Sequence, residues 1–231
     1  MINDKKIIAI IPARGGSKRL LGKNTKLLCG KPLISWTIEA AKKSKYLDTT
    51  VITSDDDVVR KIANDYDVAF LQRPELLAND NAVSADVLLH ALNAQKIEFD
   101  LVVLLQPTSP LRTHYQIDQA IEVLLEKNAK SIVSVCKSDH SPIWSNLLPE
   151  DLSMKGFMLD KYAAQRSQDL EVFYRLNGAI YIVNIIDFVR EKKFLTDESF
   201  AFLMNQQDSI DIDTEYDFIC AEALMAHKLG T

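Results

Sequence analysis

Ile7-Ile8-Ala9-Ile10-Ile11-Pro12 runs directly into Ala13-Arg14-Gly15-Gly16-Ser17-Lys18-Arg19-Leu20-Leu21-Gly22-Lys23-Asn24, and the junction of these two stretches decides the fold. The first stretch is aliphatic without polar alternation. That is the pattern of a strand covered on both faces, as in a parallel sheet with helices on either side. The second carries three glycines and four cations, Arg14, Lys18, Arg19 and Lys23, beside a serine and an asparagine. Glycine lets the chain turn sharply and lets backbone N–H groups approach a phosphate closely, and the cations add charge beside them. A polyanion such as a nucleoside triphosphate is the natural guest. The loop is not a Walker A sequence: five residues separate Gly16 from Gly22, and Asn24 stands where a metal-binding hydroxyl belongs. Nor does it contain the Gly-x-Gly-x-x-Gly of dinucleotide-binding folds. The competing reading is a solvated basic turn, but a position directly after a buried strand favours a functional loop.

Outward from this junction, strands and helices alternate. Pro32 opens a helix to about Lys43, Thr49 to Thr53 reads as a β-branched strand, and a helix follows to about Tyr66. A short strand at Val68 to Leu71 precedes a helix near Val83 to Ala94, then an apolar strand from Leu101 to Leu105. A helix from about Tyr115 to Glu126, a strand from Ser131 to Val135, a strand from Gly178 to Val183 and helices near 185–192 and 214–227 complete the series. This order predicts an α/β fold with a doubly wound, mostly parallel sheet. The regularity fails between about His140 and Tyr174, which reads as an insertion, at about 140–176, in a single domain spanning 1–231.

Composition narrows the functional classes. The 231 residues are 47% hydrophobic, and 27 cations stand against 32 acids for a net charge of −5. An acidic chain with one local basic loop suits a small anionic ligand, not a nucleic-acid polymer. The longest apolar run is too short to span a membrane and leads into the basic loop, not a cleavage site, so a cytoplasmic protein with no membrane partner is expected. Cys29, Cys136 and Cys220 have neither metal-ligand nor redox-pair spacing. His90, His114, His140 and His227 show no ligand spacing either.

Three further motifs fall at strand ends, where open α/β sheets bind ligands. Arg73-Pro74 begins a loop that reaches Ala82-Val83-Ser84. An arginine there could read a pyrimidine edge while the small Ala82 leaves room for the ring; the plainer reading is a loop into a helix capped by Asp80 or Asn81. In Gln106-Pro107-Thr108-Ser109-Pro110-Leu111-Arg112 two prolines stiffen the loop that carries Gln106, whose amide can donate and accept towards a polyhydroxylated sugar. The plainer reading is a strand-to-helix turn with Thr113 as cap. In Asp208-Ser209-Ile210-Asp211-Ile212-Asp213-Thr214, residues two apart share one face if the run is a strand. Asp211 and Asp213 would then point together and repel unless a cation such as magnesium sat between them. The alternative is a helix start capped by Asp213 or Thr214.

The basic loop is similar to the signature of the CMP-sugar-acid synthetases, the acylneuraminate cytidylyltransferase family, which reads close to Ala-Arg-Gly-Gly-Ser-Lys-Arg-x-x-Gly-Lys-Asn. The chain matches every defined position, and the resemblance continues through Gln106 to Arg112, Asn177 to Ile182 and Asp208 to Thr214. It implies a nucleotide-diphospho-sugar-transferase-like fold and a cytidylyltransferase that joins CTP to a nonulosonic acid of the N-acylneuraminate, legionaminate or pseudaminate type. It implies that Arg14, Ser17, Lys18 and Lys23 hold the triphosphate, with Lys18, Arg14 and Lys23 as the catalytic cations and Asn24 placing the nucleotide. Arg73, Ala82 and Ser84 match the positions that read cytosine. Gln106, Arg166, Arg175 and Tyr181 match those that face the sugar acid, and Asp211 and Asp213 those that hold magnesium. The inserted segment matches an arm exchanged in a homodimer, which would offer Arg166 across the interface. Two departures stand out: Trp144 where some members carry a lysine, and Glu171 and Val172 where prolines often follow Asp169-Leu170. A Kdo cytidylyltransferase, a nucleotidyltransferase for another sugar or cofactor, and a non-catalytic nucleotide-binding dimer are the alternatives.

Overall fold

The structure is a computed structural model that describes residues 2, 4–79, 82–163, 165–166 and 169–230. In chain order these residues form β1 (Ile7–Pro12), a hairpin of β2 (Leu27–Leu28) and β3 (Lys31–Pro32), α1 (Leu33–Lys43), β4 (Thr49–Ser54), α2 (Asp57–Asp65), β5 (Ala69–Gln72), α3 (Ser84–Asn93), β6 (Leu101–Leu104), α4 (His114–Glu126), β7 (Ser131–Lys137), α5 (Asp160–Ala163), β8 (Tyr174–Asn184), α6 (Ile185–Glu191), β9 (Ser199–Met204) and α7 (Glu215–Leu229). The expected alternation is present. The expected caps Asp80 and Asn81 of α3 lie outside the described residues.

Seven of these strands make one sheet in the order β5-β4-β1-β6-β8-β7-β9. β1 sits between β4 and β6 and is parallel to both. Its apolar run divides between the two faces: Ile7, Ala9 and Ile11 enter the core under α1, α2 and α4, while Ile8 and Ile10 enter the core under α3 and α6. All five residues are fully buried, so neither face could carry a polar residue cheaply, which explains the missing alternation. Each isoleucine contributes roughly 2 kcal/mol by its burial.

β8 runs against β6 and β7, whereas β7 and β9 are parallel. The sheet is therefore mostly parallel, with one reversed strand. Where β8 crosses β7, the pairing jumps from Val133↔Tyr181 to Val135↔Leu176. Four residues of β8, Asn177 to Ile180, thus face the single residue Ser134. Bulges of this kind bend a strand and re-aim its side chains, and this one lies beside the site described below.

The strand expected from Gly178 starts earlier, at the end of the irregular excursion. β8 already begins at Tyr174, and the Ser138 N–H donates to the Phe173 carbonyl at 2.8 Å across the neck of the segment. The excursion carries only a short 3-10 turn (Pro142–Trp144) and α5 as described elements. Among the described residues no helix is long and apolar enough to cross a membrane.

Candidate active site

β1, β4 and β6 are parallel, so their carboxyl ends share one edge of the sheet, and a cavity of about 350 Å³ opens there. It is lined by Arg14, Ser17, Lys23 and Asn24 from the basic loop, Arg73, Ala82 and Ser84 from the loop into α3, Gln106 and Thr108 from the loop after β6, and Asp211 and Asp213. Four motifs spread over 200 residues of sequence therefore meet at one place. Lys18 is exposed on the outer flank of the basic loop and is not among the lining residues.

Local hydrogen bonds set the basic loop. The Gly15 N–H donates to Asp55 Oδ1 at 2.9 Å, and Asn24, buried, donates from Nδ2 to the Arg14 carbonyl at 2.9 Å. Gly22 takes φ +60°, where a side chain would be strained, and starts the 3-10 turn Lys23–Thr25. Lys23 is 12% exposed and reaches across to the aspartate segment. Its Nζ donates to the Ile212 carbonyl at 2.6 Å and to Asp213 Oδ1 at 3.1 Å. Arg19 approaches Asp213 Oδ2 at 3.1 Å from the solvent side.

Arg73 is buried against the end of β4, donating from Nη2 to the Thr53 carbonyl at 2.6 Å. Burial pushes its guanidinium down to about 10; the Asp55 carboxylate opposes this and the Arg14 charge adds to it. A buried cation at the cavity wall acts more strongly on an anionic guest than a solvated one.

The run 208–214 is not a strand, contrary to expectation. Asp208 ends a 3-10 turn (Gln206–Asp208), and the residues that follow are irregular up to α7. Hydrogen bonds to distant parts of the chain hold them instead. The Ile212 N–H donates to the Thr108 carbonyl at 2.8 Å, the Ile212 carbonyl accepts from Lys23, and Ser209 Oγ accepts from Asn177 Nδ2 at 2.9 Å. Ile212 is fully buried, and Asp211 and Asp213 line the same cavity. The face-sharing expected of a strand is thus achieved by a pinned loop. The capping alternative is also realised: Thr214 caps α7 in a capping box with Asp217, which leaves Asp213 for the cavity. Asp208 is tied away from the cavity to Gln116, at 2.8 Å, and to Lys228.

Asp211 is open to cavity solvent but crowded by its walls. Desolvation pushes its carboxyl above the ordinary value; a hydrogen bond from the Thr108 hydroxyl opposes this, the Asp213 charge adds to it and the Lys23 charge opposes it. Gly178, at φ +73° in the β8 bulge, lies directly beneath. A Cβ there would stand 2.9 Å from Gln106 Oε1 and 3.3 Å from Asp211 Oδ2. The bulge is itself fixed by a buried network. Ser134 Oγ donates to Asn177 Oδ1 at 2.6 Å and accepts from the Ile180 N–H at 2.7 Å. Gly178, Asn177, Thr108 and Asp55 were not singled out from sequence. Asn177 and Gly178 stood in the quoted stretch Asn177 to Ile182, but only the bulge gives them a role.

The three remaining sugar-side residues lie apart from the main cavity. Arg175 lines a neighbouring cavity of about 520 Å³ that shares Asp211 as a wall, and it faces Asp139 at 3.7 Å. Tyr181 packs on Phe194 with ring centroids 5.2 Å apart, its hydroxyl pushed up by burial and by the Asp211 charge. Arg166 is 73% exposed, pairs with Asp169 at 2.8 Å and lines none of these cavities.

A mostly parallel sheet thus carries a basic loop at its first turn and an acidic pair opposite, both lining one cavity. The family model described as "Cytidylyltransferase" matches residues 8–219, and the chain belongs to that family. It is 38% identical over 225 residues to the N-acylneuraminate cytidylyltransferase of Escherichia coli, covering 96% of this chain and 53% of that protein. It is 37% identical over 231 residues to the CMP-N,N'-diacetyllegionaminic acid synthase of Legionella pneumophila, covering 95% and 96%. The chain thus spans about half the length of the first relative and nearly all of the second. A solved CMP:2-keto-3-deoxy-manno-octonic acid synthetase complexed with CTP superposes with a TM-score of 0.72 at 16% identity, over 96% of this chain and 99% of that one, a likeness of fold.

Proposed function

We propose that the protein activates a nonulosonic acid with CTP, giving the CMP-sugar acid and pyrophosphate in the cytoplasm, where CTP is made. The observation that carries this reading is the convergence of Arg14, Ser17, Lys23 and Arg73 with Asp211 and Asp213 around one cavity at the carboxyl edge of the sheet. The names of the relatives in Escherichia coli and Legionella pneumophila support the sugar class.

The anomeric hydroxyl oxygen of the acid forms a bond to the α-phosphorus, the bond from that phosphorus to the α,β-bridging oxygen breaks, and pyrophosphate leaves with the electron pair. The hydroxyl proton passes to water. Such transfers depend on positioning and charge neutralisation. Arg14 and Lys23 would hold the phosphates, with Ser17 as a hydroxyl donor, and Lys18 would close on them from the outer flank. Arg73 would face the base, beside Ala82 and Ser84, with Asn24 bracing the loop. Gln106 would hold the sugar acid.

Magnesium fits the acidic side of the cavity: two carboxylates line it, and one is held desolvated close to the other's charge. Among the described residues no group of three or more His, Cys, Asp or Glu could hold a metal, so phosphate oxygens and water would complete the shell around Asp211 and Asp213. Bound there, magnesium would neutralise charge on the triphosphate as pyrophosphate departs.

The test is pyrophosphate release with CTP and magnesium over N-acylneuraminate, legionaminate, pseudaminate and Kdo. Release with a nonulosonic acid and not with Kdo is the expected result. Release with Kdo alone would overturn the sugar class, and CTP binding without release from any acid would overturn the enzymatic reading in favour of a nucleotide sensor.

The excursion supports a homodimer. Leu147 is 91% exposed, and Leu152, Met154 and Leu159 are also exposed, an apolar display that a second copy would cover. In that assembly Arg166 and Arg175 would be offered to the sugar carboxylate, beside Tyr181. The double variant Leu147→Asp/Leu152→Asp should shift the protein from dimer to monomer in light scattering; an unchanged mass would remove the arm from the interface.

A further inference from the structure

Arg112 is 2% exposed, yet among the described residues no carboxylate pairs with it. Burial alone pushes its guanidinium down to about 9, and its Nε finds no hydrogen-bond partner. A buried, unpaired charge is costly, and an apolar side chain of similar size would fill the space more cheaply. What the guanidinium does hold is specific. Nη1 donates to the Gln106 carbonyl at 3.1 Å and to the Ala179 carbonyl at 2.8 Å, and Nη2 donates to the Thr37 hydroxyl of α1 at 2.8 Å. The two carbonyls belong to the residue that carries the cavity amide and to the residue after Gly178. They lie in sequence at or beside the two residues of a close approach, in which Gln106 Oε1 lies 2.9 Å from where a Gly178 Cβ would stand. A lysine could not bridge both carbonyls and Thr37 with the same rigid fork.

We infer that Arg112 is a positioning residue: it clamps the loop after β6 to the β8 bulge and to α1, and so fixes the Gln106 amide over Gly178 for the sugar-acid side of the reaction. This rests on the reaction proposed above. Arg112 does not line the cavity, and its hydrogen bonds go to Gln106, Ala179 and Thr37, not to the loops that carry Arg14, Lys23 and Arg73, so its loss acts on one substrate more than on the other.

The experiment compares wild type, Arg112→Lys and Thr37→Val, the last removing one anchor while keeping the core shape. Each is measured by thermal melting, by kcat/KM for each substrate, and by the side-chain amide NMR signals of Gln106, assigned with Gln106→Ala. The expected result for Arg112→Lys is a folded protein whose kcat/KM for the sugar acid falls about tenfold or more, with KM for CTP within about twofold of wild type. Its Gln106 amide pair should broaden or split. Thr37→Val should show the same pattern at smaller amplitude, and it decides the matter if Arg112→Lys does not fold. A folded Arg112→Lys with unchanged kinetics, or with the KM for CTP raised as much as the KM for the sugar acid, overturns the inference. A wild type without pyrophosphate release would instead remove the proposed reaction. The Gln106 signals then decide alone: single and sharp in both variants, they overturn the clamp; broadened or split, they uphold it.

Discussion

Asp211→Asn is expected to lower pyrophosphate release by about 10³-fold, about 4 kcal/mol of transition-state stabilisation, while the fold holds or gains stability. On the proposed reading Asp211 lends its charge to magnesium beside the phosphates. The isosteric amide keeps the shape and the contact with Thr108 but gives up that charge. The stability half of the expectation follows from the cost of the carboxylate in the protein alone. Its charge is desolvated and stands near those of Asp213 and Asp217, and these contributions push its carboxyl upward against the opposing effects of Thr108 and Lys23. A group whose ionised form is disfavoured by folding detracts from stability when ionised, so removing the charge should leave the melting temperature equal or higher. Opposite signs for activity and stability mark a residue kept for function. Kinetics with a magnesium titration, alongside calorimetric melting, checks both. Activity within tenfold of wild type would take Asp211 out of the metal site. A melting temperature lowered by several degrees would make it a structural residue.

The contrast between Asp211 and its surroundings shows what a sequence can carry. The basic loop was legible because its signal is local: glycines and cations crowd a dozen residues behind a strand whose double-sided burial leaves no room for polar alternation. The acidic pair was legible as a pair, but its backbone was not. The periodicity of 208–214 resembles a strand because Ile210 and Ile212 alternate with the acids, whereas the segment is held by the Thr108 carbonyl, Lys23 and Asn177, all distant in sequence. β9 escaped because it is an edge strand: Phe200 and Leu203 are exposed and only Phe202 and Met204 enter the core, which blurs its pattern. Arg112 stood in a quoted motif without a role, since its partners at Thr37 and Ala179 lie 75 and 67 residues away. Arg166 pairs with its neighbour Asp169 and the leucines of the excursion are exposed, so no distant contact among the described residues reveals their role; on the proposed reading a second copy would.

Gly178→Ala is the second large effect, and it separates two causes that a single substitution mixes. The φ of +73° costs a non-glycine residue about 1 kcal/mol, and stability should fall by roughly 1–2 kcal/mol once local crowding is added. The added methyl would also occupy space 2.9 Å from Gln106 Oε1 and 3.3 Å from Asp211 Oδ2. Both atoms end flexible side chains, so they can retreat at small cost to the fold, but on the proposed reading they retreat from the reacting groups. Displacements of about 1 Å in a transfer site cost on the order of 10²-fold, so kcat/KM should fall by about that factor, far more than the modest destabilisation explains. The same substitution in a Gln106→Ala background isolates the steric part. With the amide gone, the methyl meets only Asp211, so the further loss from Gly178→Ala should shrink several-fold relative to its effect in wild type, a coupling that a double-mutant cycle reads directly. Equal losses in both backgrounds would assign the effect to backbone strain, and Gly178 would then be a turn glycine that happens to lie beneath the site.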